Sequence, residues 1–77
     1  MKQVSIYTTP TCTYCKATKE FFHENNVEFQ EFDVAADAVR REEMIERSGQ
    51  MGVPVIMIDN DIVVGFNKAK LSELLGL

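Results

Sequence analysis

Seventy-seven residues, 45% of them hydrophobic, make a single domain spanning residues 1–77, because a chain this short buries only about 60 to 65% of its unfolded surface and has no core to divide. A net charge of −4 with no cluster of Lys and Arg excludes phosphate-backbone binding, which rests on cationic contacts that release counterions. No apolar stretch approaches the roughly 20 residues that a membrane-spanning helix needs, so neither nucleic acid nor membrane is an expected partner.

The opening segment MKQVSIYTTP alternates polar and apolar residues and reaches Pro10. It lacks the apolar run of a secretory signal, and a cytoplasmic protein is expected. Val4, Ile6 and Tyr7 predict a first strand over about residues 2–7, ended by the turn chemistry of Thr8, Thr9, Pro10 and Thr11. From Cys12, a stripe at three and four spacing runs through Cys15, Thr18 and Phe22 with Phe21 beside it, and Asn25 or Asn26 supplies the stop. This predicts a helix opened by the cysteines.

The run VEFQEFDV at 27–34 carries Val27, Phe29, Phe32 and Val34, a β-prone pattern of strand length. AADAVRREEMIERSG is rich in helix formers and closes on Gly49, the residue best able to take a left-handed cap. Its apolar stripe is narrow, with Ala38, Ile45 and Met44. VPVIMID and IVVGF then read as a hairpin turning at Asn60 and Asp61. The last helix begins near Asn67, a favourable N-cap, and gathers Leu71, Leu74 and Leu75 on one face.

The order β-α-β-α-β-β-α places the chain in the α/β class. A right-handed crossover makes the first two strands parallel and the hairpin adds an antiparallel pair, giving a four-stranded mixed sheet with helices on both faces.

Both thiols of the chain, Cys12 and Cys15, lie in the first turn of the first helix. Positions i and i+3 share a helix face, so their Cα atoms are expected about 5 to 6 Å apart, within reach of a disulfide. Cys12 stands at the helix N-terminus, where unpaired N–H groups and the macrodipole favour an anion; it is the predicted nucleophile. Cys15, a turn further in and more buried, suits a resolving thiol. Lys16 and Lys19 add positive potential.

Other readings of the pair are weaker. A structural disulfide closing so small a loop restricts the unfolded chain little and is disfavoured in a reducing cytosol. A metal site needs more ligands than one chain offers, since the only histidine, His23, lies two turns beyond Cys15. A dimer sharing two such pairs would be required for zinc or an iron–sulfur cluster. Attachment of c-type haem requires a histidine after the second cysteine, where Lys16 stands. A C-x-x-C between a strand and a helix in a β-α-β pattern reads as a redox motif.

Pro54 opens the PVIMI strand after Gly52 and Val53, a position where a missing N–H is tolerated. Its bond is trans on base rates, cis accounting for about 5 to 6% of X–Pro bonds. A cis bond would leave the Val53 N–H and C=O free to pair with an extended substrate.

Strand, TTPTCTYC, helix, GVPV some forty residues on, and GF after a hairpin together resemble the glutaredoxin-like proteins of the thioredoxin superfamily, nearly end to end. The compact redoxins of the NrdH type, which supply electrons to ribonucleotide reductase, are especially similar. The resemblance implies a thioredoxin fold and a monomeric dithiol-disulfide oxidoreductase that reduces disulfide-containing proteins. It implies Cys12 as nucleophile, Cys15 as resolving thiol and Pro54 as a cis-proline. Gly65 corresponds to the glycine after the hairpin. No tightly bound cofactor or metal is implied beyond the redox-active disulfide Cys12–Cys15.

Glutaredoxins usually carry a lysine before the first cysteine, a Cys-Pro-Tyr-Cys centre, and a Gly-Gly pair followed by acidic residues. Here Thr9 and Thr13 replace the lysine and the proline, and Phe66, Asn67 and Lys68 follow Gly65. These departures remove a cation for a carboxylate and place a ring where close backbone approach is needed. NrdH-type redoxins also lack the glycine pair and are reduced by thioredoxin reductase, so the resemblance implies that reductase as the electron source, with glutathione the alternative and ribonucleotide reductase one candidate partner.

Tyr14, between the cysteines, and Phe66 are expected on the substrate surface with Val53, Pro54 and Gly65. Thr11 and Thr13 flank Cys12, where their hydroxyls would either donate to its sulfur or cap the helix. Phe21, Phe22, Phe29 and Phe32 read as core, His23 as solvated, and RREEMIER as a wet face with internal ion pairs. No carboxylate declares itself as a proton acceptor for Cys15.

Overall fold

A computed structural model describes residues 3–77. Its elements are β1 (Val4–Thr8), α1 (Thr13–Glu24), β2 (Gln30–Asp33), α2 (Ala38–Ser48), β3 (Val55–Ile58), β4 (Asp61–Val64) and α3 (Lys68–Leu75). The expected start of β1 at residue 2 lies outside the described residues. The strands order as β2-β1-β3-β4, with β1 parallel to β2 and antiparallel to β3, and β4 antiparallel to β3.

Alternation along the strands sends successive side chains to opposite faces. Val4, Ile6, Ile56, Ile58 and Val63 point one way and meet Phe21 and Phe22 of α1 and Leu71 of α3. Tyr7 and Val55 point the other way and meet Val34 and the fully buried Met44 of α2. The mixed sheet with helices on both faces is the architecture read from the sequence.

Three local readings need correction. The second strand is shorter than 27–34, because the chain leaves α1 through a left-handed Asn26 at φ 55. There Val27 N–H donates to Phe22 C=O at 2.8 Å and Asn26 N–H to His23 C=O at 3.2 Å, the paired bonds of a Schellman ending. Val27 and Phe29 thus pack on the α1 side of the core from a loop, and pairing begins only at Gln30.

The hairpin turns at Asp59 and Asn60, one residue earlier than expected, with Ile58 opposite Asp61. Asp59 takes φ 54, which its short polar side chain tolerates. It exchanges bonds with Gln3, donating N–H to the Gln3 C=O at 2.8 Å and accepting from Gln3 N–H on Oδ1 at 2.9 Å. On α2, Ala38 is exposed rather than on the buried stripe, since Asp37 caps the helix just before it by accepting from the Val39 and Arg40 amides. The remaining ends match: Gly49 closes α2 at φ 75, and Asn67 caps α3 by accepting from Lys70 N–H at 3.1 Å.

Candidate active site at one end of the sheet

β1 ends at Thr8, and a turn bonded from Cys12 N–H to Thr9 C=O at 3.3 Å reverses the chain into α1. Cys12 is itself the N-cap. Its Sγ accepts from the Cys15 N–H at 3.1 Å, satisfying one of the donors that every helix start leaves unpaired. Thr11 and Thr13 stand exposed on either side, and neither hydroxyl donates to the sulfur.

The two thiols, both free, have unlike surroundings. Cys12 is half-buried, whereas Cys15 is 1% exposed. Burial, together with its hydrogen bond to Cys12, pushes the Cys15 thiol up to about 12; the Thr9 backbone and the Lys19 ammonium pull the other way. The arrangement therefore offers one accessible sulfur that receives an amide hydrogen bond and one sealed sulfur kept protonated.

The β1–β3 pairing sets Tyr7 opposite Val55, and the same antiparallel register continues Pro54 toward Thr8 and Val53 toward Thr9. The Val53–Pro54 bond is cis, as the resemblance implied. Pro54 is buried and its C=O accepts from Gly65 N–H at 2.8 Å. Among the described residues, nothing bonds to the Val53 N–H or C=O. Gly65 sits at φ 79 with open space where a Cβ would project, so backbone conformation and not crowding asks for glycine there.

The two aromatics expected on the substrate surface differ in exposure. Tyr14 is 67% exposed, whereas Phe66 turns inward and packs edge-on against Phe21 with centroids 6.0 Å apart. The Lys68 ammonium lies 5.7 Å from the Phe21 ring centroid.

One polar constellation beside the cysteines was not anticipated. Glu31 Oε2 accepts from both Lys19 Nζ at 2.8 Å and the Thr8 hydroxyl at 2.9 Å, tying α1, β2 and β1 together. The Lys19 bond, against burial and with help from Thr8, holds the Glu31 carboxyl below the usual carboxylate range. The sequence pattern places Thr8 in the turn, whereas it is the last residue of β1 and points its hydroxyl to Glu31.

A family model described as Glutaredoxin matches residues 4–63. The chain belongs to the glutaredoxin family. It is 51% identical over 72 residues to an uncharacterized glutaredoxin-like 8.6 kDa protein in the rubredoxin operon of Clostridium pasteurianum, covering 94% of this chain and 96% of that one. It is 45% identical over 65 residues to glutaredoxin 3 of Escherichia coli K12, covering 84% and 78% respectively. Among solved structures, a mutant of the thioredoxin-like protein BC3987 superposes with a TM-score of 0.92 at 38% identity, covering 99% of this chain and 97% of that one. As a glutaredoxin-family member the chain is a thiol-disulfide oxidoreductase acting on disulfide substrates. Among the described residues, no helix is long and apolar enough to cross a membrane.

Proposed function

We propose that this glutaredoxin-family chain is a cytoplasmic dithiol carrier that reduces protein disulfides through Cys12 and Cys15. The carrying observation is the asymmetry of the pair, with Cys12 half-buried at the helix cap and Cys15 sealed beneath it. The Cys12 thiolate attacks one sulfur of a substrate disulfide, and the other sulfur leaves as a thiolate that takes a proton from solvent. Cys15 then loses its proton and attacks Cys12 Sγ, expelling the second substrate thiolate. The substrate disulfide gains two electrons, and a Cys12–Cys15 disulfide remains as the oxidised form. Val53, with its free N–H and C=O, is placed to bond an extended substrate backbone, and exposed Tyr14 to contact it.

Cys12→Ser should abolish disulfide reduction, and Cys15→Ser should trap a covalent complex with substrate. Turnover surviving Cys12→Ser would overturn the assignment.

We further propose thioredoxin reductase as the electron source. In support, Thr9 supplies no cation, Phe66 is folded against Phe21, and Lys68 puts a positive charge after the hairpin where acidic residues would hold an amine. The relative in a rubredoxin operon is in keeping with a redox setting. Comparing reduction of the oxidised protein by NADPH with thioredoxin reductase, and by NADPH with glutathione and its reductase, tests this. Faster reduction by glutathione would replace the reading with that of a glutathione-dependent glutaredoxin.

A further inference from the structure

The Cys12 side of α1 opens onto a cavity of about 270 Å³ lined by Thr8, Thr9, Pro10, Cys12, Lys16, Lys19, Glu31 and Asp33. Its charged groups are Lys16 and Lys19 from α1 and Glu31 and Asp33 from β2. Cys12 is its other titratable group, and β1 with its following turn adds only threonines and Pro10. Lys19 follows Cys15 by four residues, which puts the two on one face of α1 with Cβ atoms about 6 Å apart. The Lys19 ammonium is not free to wander, because the Glu31 carboxylate holds it at 2.8 Å and is itself held by the buried Thr8 hydroxyl at 2.9 Å. A positive charge held by its counter-charge therefore stands on the same helix face as the sealed thiol.

We propose that Lys19 supplies the charge that lets Cys15 act as the resolving thiolate, and that Glu31 and Thr8 position this ammonium and moderate its field. The inference rests on the assignment of Cys15 as the resolving thiol. Before the second exchange step Cys15 must lose its proton to solvent in a buried setting, where a nearby cation is the group that stabilises the resulting sulfur anion. That Lys19 lowers and burial raises the pKa of this thiol agrees in sign. Glu31 partly cancels the ammonium, so removing either charge should move the step in opposite directions. A merely structural brace would not do this, since losing either end of a brace harms the same geometry.

The size follows from thiol chemistry. Removing one unit charge about 6 Å away at an effective dielectric of about 40 shifts the thiol by roughly one pH unit. At neutral pH the thiolate fraction then falls about tenfold while nucleophilicity partly compensates, leaving a rate change of about threefold.

The experiment mixes reduced protein with equimolar dithiodipyridine, an uncharged disulfide whose leaving group absorbs light. Attack by Cys12 gives a concentration-dependent phase, and resolution by Cys15 a concentration-independent one. Lys19→Met should slow the second phase about threefold, Lys19→Arg should restore it, and Glu31→Gln should accelerate it about threefold. The ratio of each variant to the parent should stay constant with pH until pH nears the raised Cys15 value of about 12, where it should narrow. Both variants slowing the second phase, or neither moving it, would overturn the inference. Cys15→Ser in the same assay keeps the two failures apart, because a second phase surviving that change would remove the resolving role itself.

Discussion

The two faces of the sheet are built on different terms. Against α1 and α3 the contact is mainly apolar, with Phe22, Ile6, Ile56, Ile58 and Leu71 all fully buried, and the Lys19–Glu31–Thr8 bonds add a polar tie from α1 to β2 and β1. Against α2, Tyr7 and Met44 are equally buried, yet the Tyr7 hydroxyl donates to Glu43 at 2.6 Å and Glu43 pairs with Arg40 at 3.1 Å. A cavity of about 220 Å³, lined in part by Gln3, Ser5 and Arg47, lies on that face. The helix that carries the cysteines rests on the dry face, so the position of the reactive sulfurs is fixed by close packing. On the wet face a titrating bond reaches into the core itself, from the buried Tyr7 to Glu43, whereas the titrating bond of α1, Lys19 to Glu31, lies at a partly exposed edge.

The largest effect should come from breaking the dry face. Phe22→Ala removes a fully buried ring that touches Phe21 and Phe29, and should cost about 3 to 5 kcal/mol in urea denaturation. If it cost no more than the polar changes below, the two faces would not differ as described.

Tyr7→Phe keeps the ring and deletes only its hydroxyl, with the bond to Glu43 and a longer one to Met57 Sδ at 3.7 Å, and should cost about 1 kcal/mol at neutral pH with disulfide reduction unchanged. The same variant should also flatten both ends of the stability profile. Burial first, then the Glu43 bond, pushes the Tyr7 hydroxyl from 10.0 to about 12. A raised group contributes fully below its unfolded value, so this stability is present below about pH 10 and lost as pH rises toward about 12. The Tyr7 bond is also the main cause that holds Glu43 below its ordinary 4.5. That contribution is present above about pH 4.5 and is lost as pH falls through the folded value. Denaturation midpoints across pH in parent and variant check both limbs.

The smallest effect sharpens the contrast. Arg40 bonds Glu43 and lies 4.2 Å from the Phe32 ring centroid, but in a half-exposed setting. Arg40→Ala should cost about 0.5 to 1 kcal/mol, and added salt should reduce the difference.

The dry face was largely legible in the sequence, because hydrophobic period and helix caps are local signals. Phe21 and Phe22 of α1 and Leu71 of α3 fall at helical spacing, and Asn67 announces a helix start. The placement of the cysteines at a helix start was legible for the same reason. Less was readable where the outcome depends on elements far apart in the chain. Thr8, Lys19 and Glu31 belong to three elements, and nothing local to any of them shows that one carboxylate oxygen serves the other two. The inward turn of Phe66 depends on how α3 docks beside Phe21. The one-residue shift of the hairpin reflects the bonds between Asp59 and Gln3, at opposite ends of the sequence.

The helix cap formed by Cys12 has a consequence for dynamics. A sulfur that serves as cap can do so fully only while it is electron-rich and unbonded. When Cys12 joins Cys15 in a disulfide, the sulfur becomes a weaker acceptor, and the Cys15 amide loses the partner it holds at 3.1 Å. The first turn of α1 should then open more often in the oxidised protein than in the reduced one. Backbone amide hydrogen exchange at Cys15 should read out the oxidation state, running faster after the pair has delivered its electrons.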